Sequence, residues 1–464
     1  MQFDTWTYAL FLPIVFLLYW ALAKRLKWQN AMLLAASYMF YGWWDWRFLG
    51  LIVATSLTTY ASALAMQSVP SHKKTWAGMS IAINLGILFT FKYLNFFRES
   101  TMALCDTLGI TLSWPMLDIV LPVGISFYTF QAISYTIDCL RGDVKPTRDI
   151  TAFMVYIAFF PQLVAGPIER AKNLLPQFLK EKRFDYDLAV VGMRQILWGL
   201  TKKVVVADTL GSLIDYTLYN PHTMAATTMV MAAIIFAVQI YADFSGYSDI
   251  AIGSAKLLGI RLSANFRYPF FSRSWHELWQ RWHITLMDWL RTYVYYPLGG
   301  SRCSRRRTAL NVMIVFALSG LWHGAAWTFI LWGIVCGLLM MPGVFFKKQK
   351  PNGEATLRDL PRCLAVFMTF AAVFMIFRAN GLYHLAEVCS TLVHGSWTEV
   401  PMGITGFYFI VPLAVVDWQG RHQEFPLERM AMPTWARWTV YWTLLALIAF
   451  YSTGHQVSYI YFQF

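Results

Sequence analysis

Two histidines carry the chemistry this chain offers most readily. His323 lies in Ser319-Gly320-Leu321-Trp322-His323-Gly324-Ala325-Ala326-Trp327, inside an apolar stretch over 308–346. An imidazole at membrane depth is costly and usually lines a cavity or polar path. It also has a pKa suited to taking and returning a proton near neutrality. The flanking glycines permit a bend and close approach of a substrate to the backbone. The chain around His323 fits either a general base or a hydrogen-bonded packing histidine. His283 and His276 stand seven apart, which on one helix puts them on nearly the same face. His72, His222, His384, His394, His422 and His455 fall in expected loops or span ends and receive no function. Lys202 and Lys203 sit inside an apolar segment with Asp208 five residues on, as a buried pair or as contacts for an anionic donor. Asp243 and Asp249 bracket Phe244-Ser245-Gly246-Tyr247-Ser248, as a helix cap or as part of an entrance. No short paired spacing of Cys and His supports a metal site, and the six cysteines form no disulfide framework.

The elements that must position these groups follow from composition. Among 464 residues, 57% are hydrophobic and only 14% charged, where an ordinary soluble chain carries about a quarter charged. Mean hydropathy is +0.45. The 21 Trp suit membrane interfaces, where one end of the ring is apolar and the other wet. The net charge of +13 then points to cytoplasmic loops and anionic headgroups, and away from nucleic acid. An all-α polytopic membrane protein is expected, as a single integral-membrane domain over 1–464. The first apolar run ends in Ala21-Leu22-Ala23, like a signal peptide. It has Asp4 and no basic residue before it, and Lys24, Arg25 and Lys27 after it, so a retained first span is expected.

Spans of about 20 apolar residues are expected near 7–23, 30–46, 48–68, 76–93, 118–138, 188–210, 225–241, 363–379, 402–416 and 437–453. With the N-terminus outside, Lys24–Lys27, Lys73–Lys74 and Arg141–Arg148 all fall inside. The stretch 151–167 is followed by five basic residues, so it reads as re-entrant, broken at Pro161 and Pro167. The stretch 308–346 lies between Arg305-Arg306-Arg307 and Lys347-Lys348-Gln349-Lys350, so it enters and returns as a helical hairpin. His323, sixteen residues from Arg307, is then about 24 Å along the first arm. In the long loop 242–307, Trp275, Leu278, Trp279, Trp282, Leu286, Trp289, Leu290 and Tyr293 recur at helical spacing. Glu277 with Arg281, and Asp288 with Arg291, can pair on the polar side, so one amphipathic helix lying in the interface is expected. No internal repeat is visible, and inverted-repeat transporter architecture gains no support.

Taken in order, several segments resemble the membrane-bound O-acyltransferases, in the branch that acetylates bacterial exopolysaccharides. They include Phe11-Leu12-Pro13-Ile14-Val15-Phe16, Pro122-Val123-Gly124-Ile125-Ser126-Phe127-Tyr128, Gly166-Pro167-Ile168-Glu169-Arg170 and Asn265-Phe266-Arg267-Tyr268-Pro269-Phe270. The most specific are Trp279-Gln280-Arg281-Trp282-His283-Ile284-Thr285-Leu286 and Leu321-Trp322-His323-Gly324. The resemblance implies a helical acyltransferase core with a funnel from each face, about ten spans, re-entrant hairpins and an interfacial helix. It makes His323 the family's near-invariant histidine and His283 its second histidine, polarising a carbonyl or steadying an oxyanion. Arg281, Arg267 and Lys203 become candidates for the donor's phosphates, with Asp243 and Trp322 as further substrate contacts. Acetyl-CoA is the expected donor from the cytoplasmic side, with no bound cofactor and no metal. The acetyl group would pass outward through the bacterial inner membrane to periplasmic acetyltransferase proteins and an exported polysaccharide such as alginate or cellulose. Other acceptors of the same superfamily, by D-alanylation or lipid acylation, stay open, as does a transporter of an acyl carrier.

Overall fold

The computed structural model describes residues 1–164, 166–346 and 353–452. His455 and the basic flank Lys347, Lys348 and Lys350 therefore lie outside the described residues. In chain order the helices are α1 Trp6–Ala21, α2 Leu26–Gly42, α3 Leu49–Ser68, α4 Lys73–Leu88, α5 Leu94–Thr107, α6 Ile125–Arg141, α7 Ile150–Ala158 and α8 Phe160–Leu163. There follow α9 Ala171–Phe178, α10 Tyr186–Leu200, α11 Asp208–Tyr219, α12 Ala226–Leu257, α13 Trp275–Arg281 and α14 Ile284–Leu290. The series closes with α15 Arg305–His323, α16 Trp327–Phe345, α17 Leu360–Arg378, α18 Leu382–His394, α19 Phe407–Gly420 and α20 Thr434–Tyr451. Among the described residues there is no strand. Five helical stretches among the described residues are long and apolar enough to cross a membrane, including Ala226–Leu257 and Trp327–Phe345. Each of the ten expected spans falls largely on a helix.

The chain divides into two compact units. The first comprises Met1–Ala189 and Ser254–Leu262. Its α6 is buried along almost its whole length and starts at Gly124, whose φ is +75°. A Cβ there would meet the Leu163 carbonyl oxygen at 2.7 Å, so both the left-handed turn and the close approach require glycine. The span expected from 118 begins only at Ile125 because of this turn. Asp149 caps α7 by accepting from the Ala152 N–H at 2.9 Å, and the helix breaks at Phe159 before Pro161 can extend it. The nine-residue α7 and four-residue α8 are too short to cross, in keeping with the re-entrant reading of 151–167.

The second unit comprises Val190–Gly253 and Ser263–Phe464. Its axis is α12, 32 residues or about 48 Å, which runs well past the span expected to end at 241. The Asp243–Asp249 cluster is therefore inside a helix, and the expectation of a helix cap is corrected. Helix α10 crosses α12 at backbone contact: a Cβ on Gly199 would sit 2.6 Å from the Gly246 carbonyl oxygen, and one on Gly253 2.6 Å from that of Gly192. Between α10 and α11, residues Thr201–Ala207 form a π-helical segment. Such a bulge adds a residue to the turn, and here it buries consecutive lysines together.

The stretch 308–346 is the expected hairpin. Arms α15 and α16, 19 residues each, are joined by Gly324, Ala325 and Ala326. Each arm is about 28 Å long, near the roughly 30 Å of a hydrocarbon core, and α16 is among the helices apolar enough to cross. The arms touch through glycine: a Cβ on Gly320 would fall 2.1 Å from the Phe329 oxygen, and one on Gly333 2.3 Å from that of Phe316.

Candidate active site

His323 is the last residue of α15, at the tip of the hairpin. Gly324 follows in an extended conformation, and a Cβ there would lie 2.1 Å from the Phe329 ring. The turn can therefore be this tight only with glycine. The imidazole is buried, in a box of aromatic rings whose centroids stand 4.9 Å (Trp322), 5.3 Å (Trp332) and 5.3 Å (Phe377) away. Trp332 comes from α16 and Phe377 from α17, so three helices fix one histidine.

His283 enters the same box from a different device. The single amphipathic helix expected over 275–293 is two short helices, α13 and α14, broken at Trp282-His283. His283 has φ +44° and ψ +51°, and with Tyr268 is one of two non-glycine residues in the left-handed region among the described residues. That conformation costs about 1–2 kcal/mol per residue and persists only where surroundings hold it. Asn265 does so: its backbone oxygen accepts from the Ile284 N–H at 2.9 Å, and its Oδ1 accepts from Thr285 Oγ1 at 2.9 Å. The apolar stripe is not at an interface but inside the unit, with Leu278, Trp279, Trp282, Leu286 and Leu290 all buried. The break also separates the two histidines seven apart. His276 is exposed and bonds Gln280, whereas His283 is buried.

The two imidazoles meet, their ring centroids 6.3 Å apart and Trp322 5.6 Å from His283. At that separation the ring nitrogens are beyond the reach of a direct N–H···N bond of about 2.9 Å. Asn265 Oδ1 lies 3.1 Å from His283 Nδ1 and also receives the Thr285 backbone N–H at 3.4 Å. An N–H can only donate, so that atom is the oxygen and His283 Nδ1 carries the proton. His283 Nε2 is buried and has no hydrogen-bond partner among the described residues. Its lone pair makes it an acceptor, and burial lowers the imidazole to about 3, so it is neutral at working pH. The expected role as a carbonyl or oxyanion donor does not fit this tautomer; acceptance of a hydrogen bond does.

The remaining candidates are not gathered at the histidines. Lys203 Nζ bonds Asp208 at 2.7 Å and lies 3.0 Å from Asp243. Lys202 Nζ lies 2.6 Å from Asp249 and donates to Ser245 at 2.8 Å. The lysines thus form a buried ion-pair layer between the π-helical segment and α12, and Asp243 belongs to that layer. Arg281 pairs with Glu277 at 3.0 Å, as its spacing predicts, and with Glu354 at 2.8 Å. Arg267 is exposed, 3.8 Å from Glu354. A cavity of about 650 Å³ lies elsewhere, along one face of α15 from Arg305 through Thr308 and Val312 to Phe316. Arg291, Tyr295 and His276 line its polar side, and Trp279 its inner end. Trp279 packs edge-on against Trp332, which in turn packs against His323. Sequence reasoning used Arg305 only as a topology marker and quoted Asn265 only inside a motif. Their positions beside the hairpin and the histidine turn could not be read from spacing.

The model of the membrane-bound O-acyltransferase family matches residues 39–378, which include both histidines. The chain belongs to this family. It is 40% identical over 399 residues to a Pseudomonas putida protein named probable alginate O-acetylase, covering 84% of this chain and 79% of that one. An Azotobacter vinelandii protein of the same name is 38% identical over 395 residues, covering 84% and 77%. The peptidoglycan O-acetyltransferase of Helicobacter pylori is 32% identical over 421 residues, covering 82% and 78%. As a member of the family, this protein is a multi-pass membrane O-acyltransferase.

Proposed function

We propose that the protein takes an acetyl group from a cytoplasmic thioester, acetyl-CoA, and passes it across the inner membrane for O-acetylation of an exported polysaccharide such as alginate or cellulose. The observation that carries this reading is the meeting of His323 and His283 at the hairpin tip, with a cavity along the arginine-rich base of α15 that reaches Phe316 and Trp279. The names of the relatives support acetyl as the group and a glycan as its destination.

The donor's phosphates would sit at Arg305 and Arg291, and its thioester would extend past Trp279 toward the aromatic box. An acceptor hydroxyl would lie between the imidazoles. As its oxygen attacks the thioester carbonyl carbon, its proton moves to His323. The tetrahedral intermediate then collapses, the C–S bond breaks, and the proton on His323 passes to the departing thiolate. His283 Nε2, an acceptor facing no competing donor among the described residues, would receive the O–H of the incoming hydroxyl and orient it until that hydrogen turns to His323 at the moment of attack. The acceptor is the hydroxyl of a periplasmic acetyltransferase partner or of the sugar itself.

The test is transfer of labelled acetyl from acetyl-CoA by the purified protein in proteoliposomes. His323→Ala should lower turnover by about 10²–10⁴-fold while inserting normally. Wild-type turnover in that variant, or label moved across the bilayer as intact acetyl-CoA, would end the reading. A D-alanyl carrier or long-chain acyl-CoA outperforming acetyl-CoA would replace the donor.

A further inference from the structure

The left-handed turn at His283 depends on one side chain, and that side chain bonds more than the backbone. Asn265 Oδ1 receives His283 Nδ1, the Thr285 hydroxyl and the Thr285 N–H. Its Nδ2 donates to Ser248 Oγ at 3.4 Å, which ties the amide to α12 and prevents it from presenting its nitrogen to the ring. Asn265 is 1% exposed and His283 likewise, so water does not compete for these bonds.

We infer that Asn265 is a positioning residue for acyl transfer: it holds the His283 imidazole with its proton on Nδ1 and leaves Nε2 as a bare acceptor in the aromatic box shared with His323. This rests on the reading of His283 as a group that meets the acceptor hydroxyl. Neutral imidazole has two tautomers, and only one can accept at Nε2. A backbone carbonyl could select that tautomer, but a carbonyl would not also brace the residues after His283. Asn265 couples the choice of tautomer to the fold of the turn. The charged or titratable groups on the elements packed around His283 include His323 on α15, Asp243 and Asp249 on α12, paired with Lys203 and Lys202, and Arg281 with Glu277 on α13. Helix α12 also carries Tyr241, Tyr247 and Lys256, α14 Asp288, and α15 Arg305, Arg306 and Arg307 at its far end.

Three variants test the inference in proteoliposomes with acetyl-CoA as donor. Asn265→Asp keeps every acceptor contact but sets a negative charge against the ring, which favours the imidazolium. The acid limb of its kcat/KM profile should move up by at least one pH unit, with the donor KM within about two-fold of wild type. Asn265→Ala should lower kcat by about 10–100-fold, the usual loss when the group that orients a functional histidine is removed. Nitrogen-15 NMR of histidine-labelled protein, differenced against His283→Ala, should show the Nδ1–H tautomer in wild type and its loss in Asn265→Ala. An unchanged tautomer in Asn265→Ala, or superimposable pH profiles for Asn265→Asp and wild type, overturns the inference. Wild-type turnover in His283→Ala would overturn it by a different route, by removing His283 from the reaction, and is visible separately from the NMR result. Melting and size-exclusion profiles in detergent separate any loss of fold from loss of positioning.

Discussion

Glu277 shows how much a single carboxylate organises around the histidine turn. It accepts from the Arg273 backbone N–H at 2.8 Å and from the Arg273 guanidinium at 2.9 Å, and from Arg281 at 3.0 Å. Burial opposes its charged form, but the hydrogen bonds from Arg273 and the charge of Arg281 outweigh it and hold the carboxyl below its ordinary value. A carboxyl that titrates lower when folded contributes stability above its unfolded pKa of about 4.3 and loses it as pH falls through the folded value. The melting temperature of the wild type should therefore fall below roughly pH 4, and that of Glu277→Gln should respond less steeply there. At neutral pH, Glu277→Gln should destabilise by about 3 kcal/mol, because it leaves buried guanidinium charge under-compensated. Equal melting curves for the two proteins from pH 7 to pH 3 would contradict this account. At this scale the sequence was partly legible. The spacing of Glu277 and Arg281 predicted their pair, and both histidines were picked out by type and neighbours. The left-handed φ of His283 was not legible, because no local signal distinguishes a histidine held by a distant Asn265 from one in a continuous helix.

Among the elements, the hairpin was read correctly from its basic flanks, since charge at both ends of one apolar stretch demands an even number of crossings. The two short helices were misread as one because the apolar spacing continues through the break: Trp279, Trp282, Leu286 and Trp289 keep helical intervals across a residue that leaves the helix. The π-helical segment was equally hidden, and with it the reason Lys202 and Lys203 point to one neighbour. Two predictions follow from these elements. Gly320→Ala or Gly333→Ala should push the hairpin arms apart, costing about 1–3 kcal/mol and lowering acetyl transfer through displacement of His323. The double variant should be less than additive, because the first methyl already opens the contact the second would meet. Lys203→Met should lower the melting temperature sharply and leave the donor KM of the surviving protein unchanged, whereas Arg305→Ala should raise that KM about ten-fold at an unchanged melting temperature. A raised KM in Lys203→Met would return that lysine to the donor site.

For the whole molecule, the charge pattern gives a sidedness that two cysteines can report. Cys303 and Cys389 are both exposed, and the expected topology puts the first on the cytoplasmic side, beside Arg302 and Arg305, and the second on the opposite side. A membrane-impermeant maleimide should label Cys389 in sealed right-side-out vesicles and Cys303 only in inverted ones. Labelling of both from one side would reverse an odd number of the crossings between them. Membrane class and helical content were legible because hydrophobicity and basic charge are summed over many residues. The division of labour between helices was not, because it depends on contacts made across the fold. The hairpin turn of three residues has a consequence for the membrane itself. With so short a tip, nothing but the length of α15 sets how far His323 stands from the arginines at its base, so the helix acts as a fixed ruler. Bilayers differ in thickness by a few ångströms, and proteins of fixed length meet that difference with tilt or local thinning, at a cost of fractions of a kcal/mol per ångström. The separation between His323 and the far surface is thus a property shared by the protein and its lipids. Under the proposed function, acyl-chain length in the host membrane becomes a dial on how far an outside hydroxyl must descend to be acylated.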